Sequence, residues 1–329
     1  MQPFLAFYTP LHRFVHLAAL LLSLTLWVPA APAVEPGSLS ITAEGVTATR
    51  AIFNLHPDNR IRNEDHMAMA MVHPDYWHYS LMTDDFDACQ KVIKTFGMTS
   101  AHYVNARTKH IDGILKKTAA DGISQVVNLG AGYDSRAYRF REAMPEVKFF
   151  EIELPAMTLE KKRRLKQVLG EVPDYVTFVP IDFNTQTIPG ELKKAGYDPY
   201  LKTLFIWEGV TMYISAEAVD STLKFISTQS APGSSVVFDY MPLAVIQGDF
   251  NNYKDVRSLS FWVAYKGEPF IFGIVAGKSG AYVEQRGLTV LSDIGPKEME
   301  DRYLTRSDGK LDGPCSSGFR IMHASIPSR

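Results

Sequence analysis

Cysteine is almost absent: Cys89 and Cys315 are the only two in 329 residues. Two thiols so far apart make neither a zinc pattern nor a CxxC redox pair, and two free thiols are a simpler reading than one disulfide. An excess of charge of one sign is lacking as well. Thirty-four Lys and Arg stand against 36 Asp and Glu, a formal net charge of -2. There is no basic stripe to neutralise phosphates, so no nucleic-acid partner is expected. Internal repeats, low-complexity tracts and a G-x-S-x-G nucleophile elbow are missing too. His66, His73 and His78 lie close in sequence but without H-E-x-x-H or comparable spacing, and no metal site is expected.

Long apolar runs are rare, with one exception. Leu17–Val28 is almost wholly apolar, preceded by Arg13 and followed by Pro29 and Ala31-Pro32-Ala33. A basic flank, a short apolar stretch and a small-x-small site make residues 1–33 a signal-like or anchor segment. The run from Phe14 to Pro29 falls a little short of the roughly 17–25 residues that cross a bilayer. Membrane association through residues 14–29 is the alternative to cleavage. With 46% hydrophobic and 21% charged residues overall, the remainder reads as a globular chain, taken here as a single domain over 34–329.

What is present is an alternation. Helices are expected over Ser40–Phe53, with Thr42 as N-cap, and over Asp84–Phe96 and Thr99–Ala119, broken by Gly97. Short apolar runs then alternate with amphipathic stretches, the pattern of a parallel sheet covered on both faces. Strands are expected at Gln125–Leu129, Val147–Ile152, Val176–Pro180, Thr203–Trp207 and Ser235–Asp239. Helices are expected between them at Ser135–Met144, Pro155–Leu169, near Pro189–Ala195, and at Ser215–Ser230. Two late strands, Leu288–Asp293 and Arg320–Ala324, would close the sheet as an antiparallel pair. The aromatic- and glycine-rich stretch Pro242–Gly280 is long enough to form a lid or pocket wall.

The chemistry concentrates at strand ends. Val126–Phe140 reads V-V-N-L-G-A-G-Y-D-S-R-A-Y-R-F, a strand running into Gly130-Ala131-Gly132. Glycines there let the backbone turn tightly and approach a ligand. A dinucleotide site wants a small third residue near a pyrophosphate; here Asp134 and Ser135 follow, and an acid at that mouth suits a cationic sulfonium better. Glu153 lies 21 residues beyond Gly132, near the spacing of about 20 at which a carboxylate takes an adenosine ribose diol. Glu151 is on the same strand face, and Glu153 is preferred because it is nearer the carboxyl end. Asp182 and Phe183, after the third strand, would hold an adenine amine and stack on its ring. Glu208 follows the fourth strand at the same rim. Arg107 falls on an otherwise apolar helix stripe with Tyr103 and Ile111 and therefore needs an anion, either the methionyl carboxylate of a cofactor or an internal carboxylate. Gly273–Ser279 resembles a P-loop, but its first glycine is one residue too close.

Taken in order, these motifs resemble the leucine carboxyl methyltransferase family. They are T-A-E-G-V-T-A-T-R-A, A-R-T-K-H-I-D, N-L-G-A-G-Y-D-S-R-A-Y-R, E-I-E-L-P, W-E-G-V-T-M-Y, A-P-G-S-S-V-V-F-D-Y and G-E-P-F-I-F-G-I. The resemblance runs from about Ile41 to Pro327. It implies a doubly wound, mostly parallel seven-stranded α/β sheet of the class I, Rossmann-like methyltransferase type. A helical cap would span about 40–120, a cofactor core 121–240, and a lid with closing strands 241–329. It also implies S-adenosyl-L-methionine as cofactor, bound by Arg107, Gly130, Gly132, Glu153, Asp182, Phe183 and Glu208. Relatives mostly carry Asp where this chain has Glu153, and cytosolic ones lack the leader. The expected acceptor is a small molecule or a carboxyl terminus, methylated on oxygen, and no catalytic residue is assigned. If the acceptor is a hydroxyl, Tyr213, Tyr240 or a rim carboxylate would have to take its proton. The alternatives are a nicotinamide-dependent oxidoreductase and an exported, non-catalytic binding protein of the same fold. The signal-like N-terminus points to export or membrane anchoring, whereas the supply of a cytosolic cofactor favours a domain facing the cytoplasm.

Overall fold

The computed structural model describes residues 39–75, 83–183 and 185–327. Residues 1–33, read as a signal-like or anchor segment, with the apolar run at 14–29, and His78 lie outside the described residues. Three longer helices, with one short turn of helix at Ala68–Met71 among them, come first: α1 (Ile41–Asn54), α2 (Phe86–Phe96) and α3 (Thr99–Ala120). The N-cap of α1 is Ser40 rather than Thr42. The Ser40 hydroxyl accepts from the Ala43 N–H at 3.1 Å, while Thr42 already lies in the first turn with its hydroxyl turned to Glu268. Asp85 caps α2, and Gly97 ends it in the left-handed region at φ 59°, which is why two helices form where one long one would otherwise run. Cys89 and Cys315 are both buried and unpaired. Among the described residues no helix is long and apolar enough to cross a membrane.

The sheet follows: β1 (Gln125–Leu129), β2 (Lys148–Glu153), β3 (Val176–Pro180), β4 (Thr203–Trp207), β5 (Ser235–Tyr240), β6 (Thr289–Ile294) and β7 (Arg320–Ser325). All seven expected strands are present, with ends displaced by at most one residue. Their order is β3-β2-β1-β4-β5-β7-β6; β1 to β5 are parallel, and β7 runs antiparallel to both neighbours. Strand alternation feeds two cores. Val126, Phe149, Leu204 and Val237 face one layer, and Val127, Phe150, Phe205 and Val236 the other. Both faces are covered, as the continuous apolar runs require.

Helices join the strands: α4 (Arg136–Arg139), α5 (Pro155–Leu169), α6 (Ile188–Lys194) and α7 (Ala216–Thr228). In α7, Ser215 caps the first turn and Val219, Leu223 and Ile226 are fully buried. The helix expected over Ser135–Met144 is only one turn, α4. Pro145 disfavours helical backbone at Met144, and Arg136 and Arg139 are drawn inward to the buried Asp112. The strand order reverses between β1 and β4, so a crevice opens above their carboxyl ends, where such sheets bind ligands.

Candidate functional site

The turn after β1 is built for close approach. Gly130 and Gly132 have φ 71° and 40°, a region that favours glycine. A Cβ on Gly130 would stand 2.4 Å from Val210 Cγ2, so the segment after β4 closes directly on the turn. Glu153, at the end of β2, clasps it from the other side. Its Oε2 accepts the Gly132 N–H at 2.7 Å and its Oε1 the Leu154 N–H at 2.7 Å. Burial pushes its carboxyl up in pKa, against the pull of those two donors. Glu151 has a different job. It is buried with Lys161 Nζ at 2.7 Å and the Tyr138 hydroxyl at 3.1 Å, beneath the sheet edge rather than at its mouth.

Arg107 meets internal anions. Its Nη1 donates to Asp239 Oδ2 at 2.6 Å and its Nε lies 2.9 Å from Glu208 Oε1, all three side chains being buried. The internal ion pair is thus present, and Nη2 makes no hydrogen bond among the described residues. Asp239 also accepts from the Tyr103 hydroxyl at 2.7 Å and the Gly209 N–H at 2.6 Å. Glu208 bridges onward to Arg136 Nη1 at 2.6 Å, and Arg136 Nε reaches Asp112 at 2.6 Å. Burial opposes the Glu208 charge, but Arg136 and Arg107 outweigh it and hold its carboxyl below the usual range. Arg139 joins Asp112 at 3.0 Å to Asp65, which pairs with Arg50 at 2.8 Å.

Asp134 does not face the crevice as a free charge. Its Oδ1 accepts the Arg136 N–H at 2.7 Å and its other oxygen binds the Arg136 guanidinium, so its charge is already matched. The preference for a cationic ligand therefore rests on the whole network rather than on this residue. Four guanidiniums (Arg50, Arg107, Arg136, Arg139) are interlocked with five carboxylates (Asp65, Asp112, Asp134, Glu208, Asp239), a formal excess of one negative charge. A buried excess of that sign attracts a cation.

Asp182 and Phe183 lie just past β3, on the same rim. The Asp182 N–H donates to Gln186 Oε1 at 2.8 Å, its Oδ2 accepts from Thr185 at 3.1 Å, and the Phe183 ring is half exposed. The rim therefore carries Glu153, Asp182, Phe183 and Glu208 after three successive strand ends, with the glycine turn between them. Sequence reasoning passed over Arg136, Asp112, Asp239 and Tyr103. Arg136 had the signal that singled out Arg107, a guanidinium among Ala137, Tyr138 and Phe140, which demands a counter-anion.

Helix α1 and the segment after β5 complete the enclosure. Arg50 Nη2 donates to the Tyr133 carbonyl at 2.7 Å, setting α1 over the turn. The segment from Pro242 to Ile274 carries helix α8 (Arg257–Tyr265) and returns to bridge Ile274 with Pro242. From it Glu268 reaches back to the first turn of α1, accepting the Ile41 N–H at 2.9 Å. Phe270 packs on Tyr213 at a ring separation of 5.3 Å.

The model of the family described as leucine carboxyl methyltransferase matches residues 43–227, more than half of the chain. A protein of Streptomyces coelicolor named "Putative S-adenosyl-L-methionine-dependent methyltransferase SCO7813" is 32% identical over 232 residues, covering 70% of this chain and 79% of its own length. One of Bacillus subtilis with the same kind of name, YktD, is 28% identical over 227 residues, covering 66% of this chain and 69% of its own. In three dimensions the fold is shared with a DUF574 family protein from Streptomyces avermitilis, at a TM-score of 0.55 and 12% identity over 85% of this chain and 97% of that one. The chain belongs to the leucine carboxyl methyltransferase family.

Proposed function

We propose that this protein moves the methyl group of S-adenosyl-L-methionine to an acceptor oxygen, and that the oxygen is a carboxylate's. The cofactor and the reaction class come with the family; the acceptor is our reading. The observation that carries the site is the clasp of Glu153 on the glycine turn, a carboxylate held at a crevice with a net negative lining. When bound, the cofactor supplies a methyl group on a cationic sulfur, which an acceptor oxygen displaces in line.

The chain's own groups bind and orient. Each Glu153 oxygen accepts one backbone N–H and keeps a lone pair for a ribose hydroxyl. Gly130 and Gly132 let the turn adopt its left-handed backbone, and at Gly130 the missing Cβ lets Val210 close on it. The unbonded Nη2 of Arg107 is the donor for a methionyl carboxylate, while Glu208 and Asp239 fix the fork. Asp182 and Phe183 would hold the adenine, the carboxylate taking its amine and the ring stacking on it. Neither candidate tyrosine, Tyr213 or Tyr240, supplies a general base. Burial pushes Tyr213 up in pKa, and Tyr240, pushed up to about 12, gives its proton to Asp293 at 2.9 Å. A carboxylate needs no base, and positioning with water excluded then supplies the rate.

Titration calorimetry with S-adenosylhomocysteine tests the site. Wild type should bind, and Glu153→Ala should weaken binding by roughly 100-fold or more, the loss of two hydrogen bonds to a charged group. No heat for wild type, or unchanged affinity for the variant, rejects the assignment.

A further inference from the structure

The segment after β5, with α8 and the stretch that follows it, borders a second space, open to solvent, that none of the cofactor residues line. It is a cleft of about 760 Å³ bounded by Val245, Phe250, Phe261 and Phe270, with Lys254 and Arg257 among its walls. The volume falls within the range of small-molecule sites, roughly 300–1,000 Å³. Its lining is graded. Val245 is buried and Phe270 partly so, whereas Phe261, Lys254 and Arg257 are exposed. The inner end therefore lies at Val245 and Phe270, and the Phe270 ring meets Tyr213, five residues after Glu208. The cations stand at the mouth.

The cations are placed rather than scattered. Between them in sequence, Asp255 turns the other way. It accepts from the Thr99 hydroxyl at 2.7 Å, the Ser316 hydroxyl at 3.0 Å and the Ser317 N–H at 3.0 Å, and so pins this stretch to the body. Val256 is fully buried against Gly318, where a Cβ would stand 2.3 Å from Val256 Cγ2. With Asp255 and Val256 committed inward, Lys254 and Arg257 face the cleft. Neither has an ion-pair partner among the described residues. One anion shares the space, Asp249, and one of its oxygens is taken by the Asn251 N–H at 3.1 Å. Two cations against one carboxylate leave the mouth positive. This is opposite in sign to the cofactor crevice.

We propose that this cleft is the acceptor site, and that it takes an apolar or ring-bearing molecule carrying an anionic group, held at the mouth by Lys254 and Arg257 while the other end enters toward Phe270. The inference rests on the methyl-transfer reading and adds the acceptor's class: an amphiphile with an anionic group at one end, remote from the carboxylate at the other end that is methylated.

Anilinonaphthalene sulfonate, an aromatic body with one negative charge, serves as the probe on the full-length protein, with uncharged phenylnaphthylamine as its control. The sulfonate should bind saturably, one per chain, and more tightly than the control. Lys254→Gln with Arg257→Gln should weaken the sulfonate about tenfold and the control far less, because the loss of the Arg257 guanidinium over Phe261, 5.8 Å from its ring centre, touches both probes alike whereas the charge-assisted contacts serve the sulfonate only. Phe261→Ala should weaken both. All three positions are exposed, so the fold should persist, and circular dichroism checks this. Saturating S-adenosylhomocysteine should leave the sulfonate bound. The inference is overturned if the double variant holds the sulfonate as tightly as wild type, if the control binds equally well, or if S-adenosylhomocysteine displaces the probe. A protein that holds the sulfonate through Lys254 and Arg257 but gives no heat with S-adenosylhomocysteine overturns the methyl-transfer reading and leaves the ligand class of the cleft standing.

Discussion

Two arginine-bearing surfaces of this protein are organised in opposite ways. On the crevice floor, Arg107 and Arg136 are buried and each is shared between carboxylates drawn from α3, the β1 turn and the ends of β4 and β5. In the lid, Arg257 is exposed with no ion-pair partner among the described residues. The floor holds its groups to one geometry by making each charge depend on another. The lid leaves its charges available. A site that must accept one invariant cofactor benefits from the first arrangement, and one that meets an outside molecule from the second.

The contrast breaks most visibly by deletion. Arg136→Ala strands Asp134 in a buried setting, takes one of two guanidinium partners from Asp112 and from Glu208, and should cost about 3–5 kcal/mol in urea denaturation. Arg257→Ala should stay within about 0.5 kcal/mol of wild type. Equal losses at both positions would dissolve the distinction.

The next largest effect is one of pH, and it belongs to the floor alone. Burial holds the Glu151 carboxyl at about 7, against an ordinary 4.5, despite Lys161 beside it. Between those values the folded chain keeps a proton that the unfolded chain has released. The stability from this group is full below the ordinary value and is lost as pH rises through the raised one. His110 and His323, both lowered to about 4, slope the other way, so the informative quantity is the difference between variant and wild type. Glu151→Gln should gain on wild type by roughly 3 kcal/mol between about pH 4 and pH 8. A difference that stays flat across that range means Glu151 is ionised throughout.

Gly130→Ala should cost about 2 kcal/mol, half from the left-handed backbone and half from the overlap with Val210. Adding Val210→Ala should restore the second half and leave the first. If the pair gains nothing over the single variant, the turn is strained by backbone alone and the β4 segment is not its limit.

Legibility followed the range of the interaction. Strand positions came from local apolar runs, and the rim residues Glu153, Asp182 and Glu208 came from knowing that parallel strands end on one edge. Both signals sit within a few residues of one another. What stayed hidden depended on partners far apart in the chain. Asp239 lies 132 positions from Arg107, and nothing local marks it as the counter-ion. Asp134 is the reverse case. Its position at the mouth of a helix pointed to the ligand, but Arg136, two residues on, curls back to take its charge and shortens that helix to one turn. Thr42 was chosen as a cap over Ser40, two residues away, because local sequence cannot see Glu268 waiting 226 positions later.

That last contact carries the smallest effect, and it asks whether the lid is fastened as firmly as the floor. The Glu268 carboxylate is buried and sits on the first turn of α1, taking the Ile41 N–H at 2.9 Å and the Thr42 N–H at 3.3 Å. An anion there meets the positive end of the helix as well as two otherwise unpaired donors. Glu268→Ala should cost about 1 kcal/mol overall. Its signature is local: amide exchange at Ile41 and Thr42 should quicken while that of β1 and β4 stays as it was. Should exchange in the sheet quicken too, the lid and the floor open as one body, and the division between them is only one of charge.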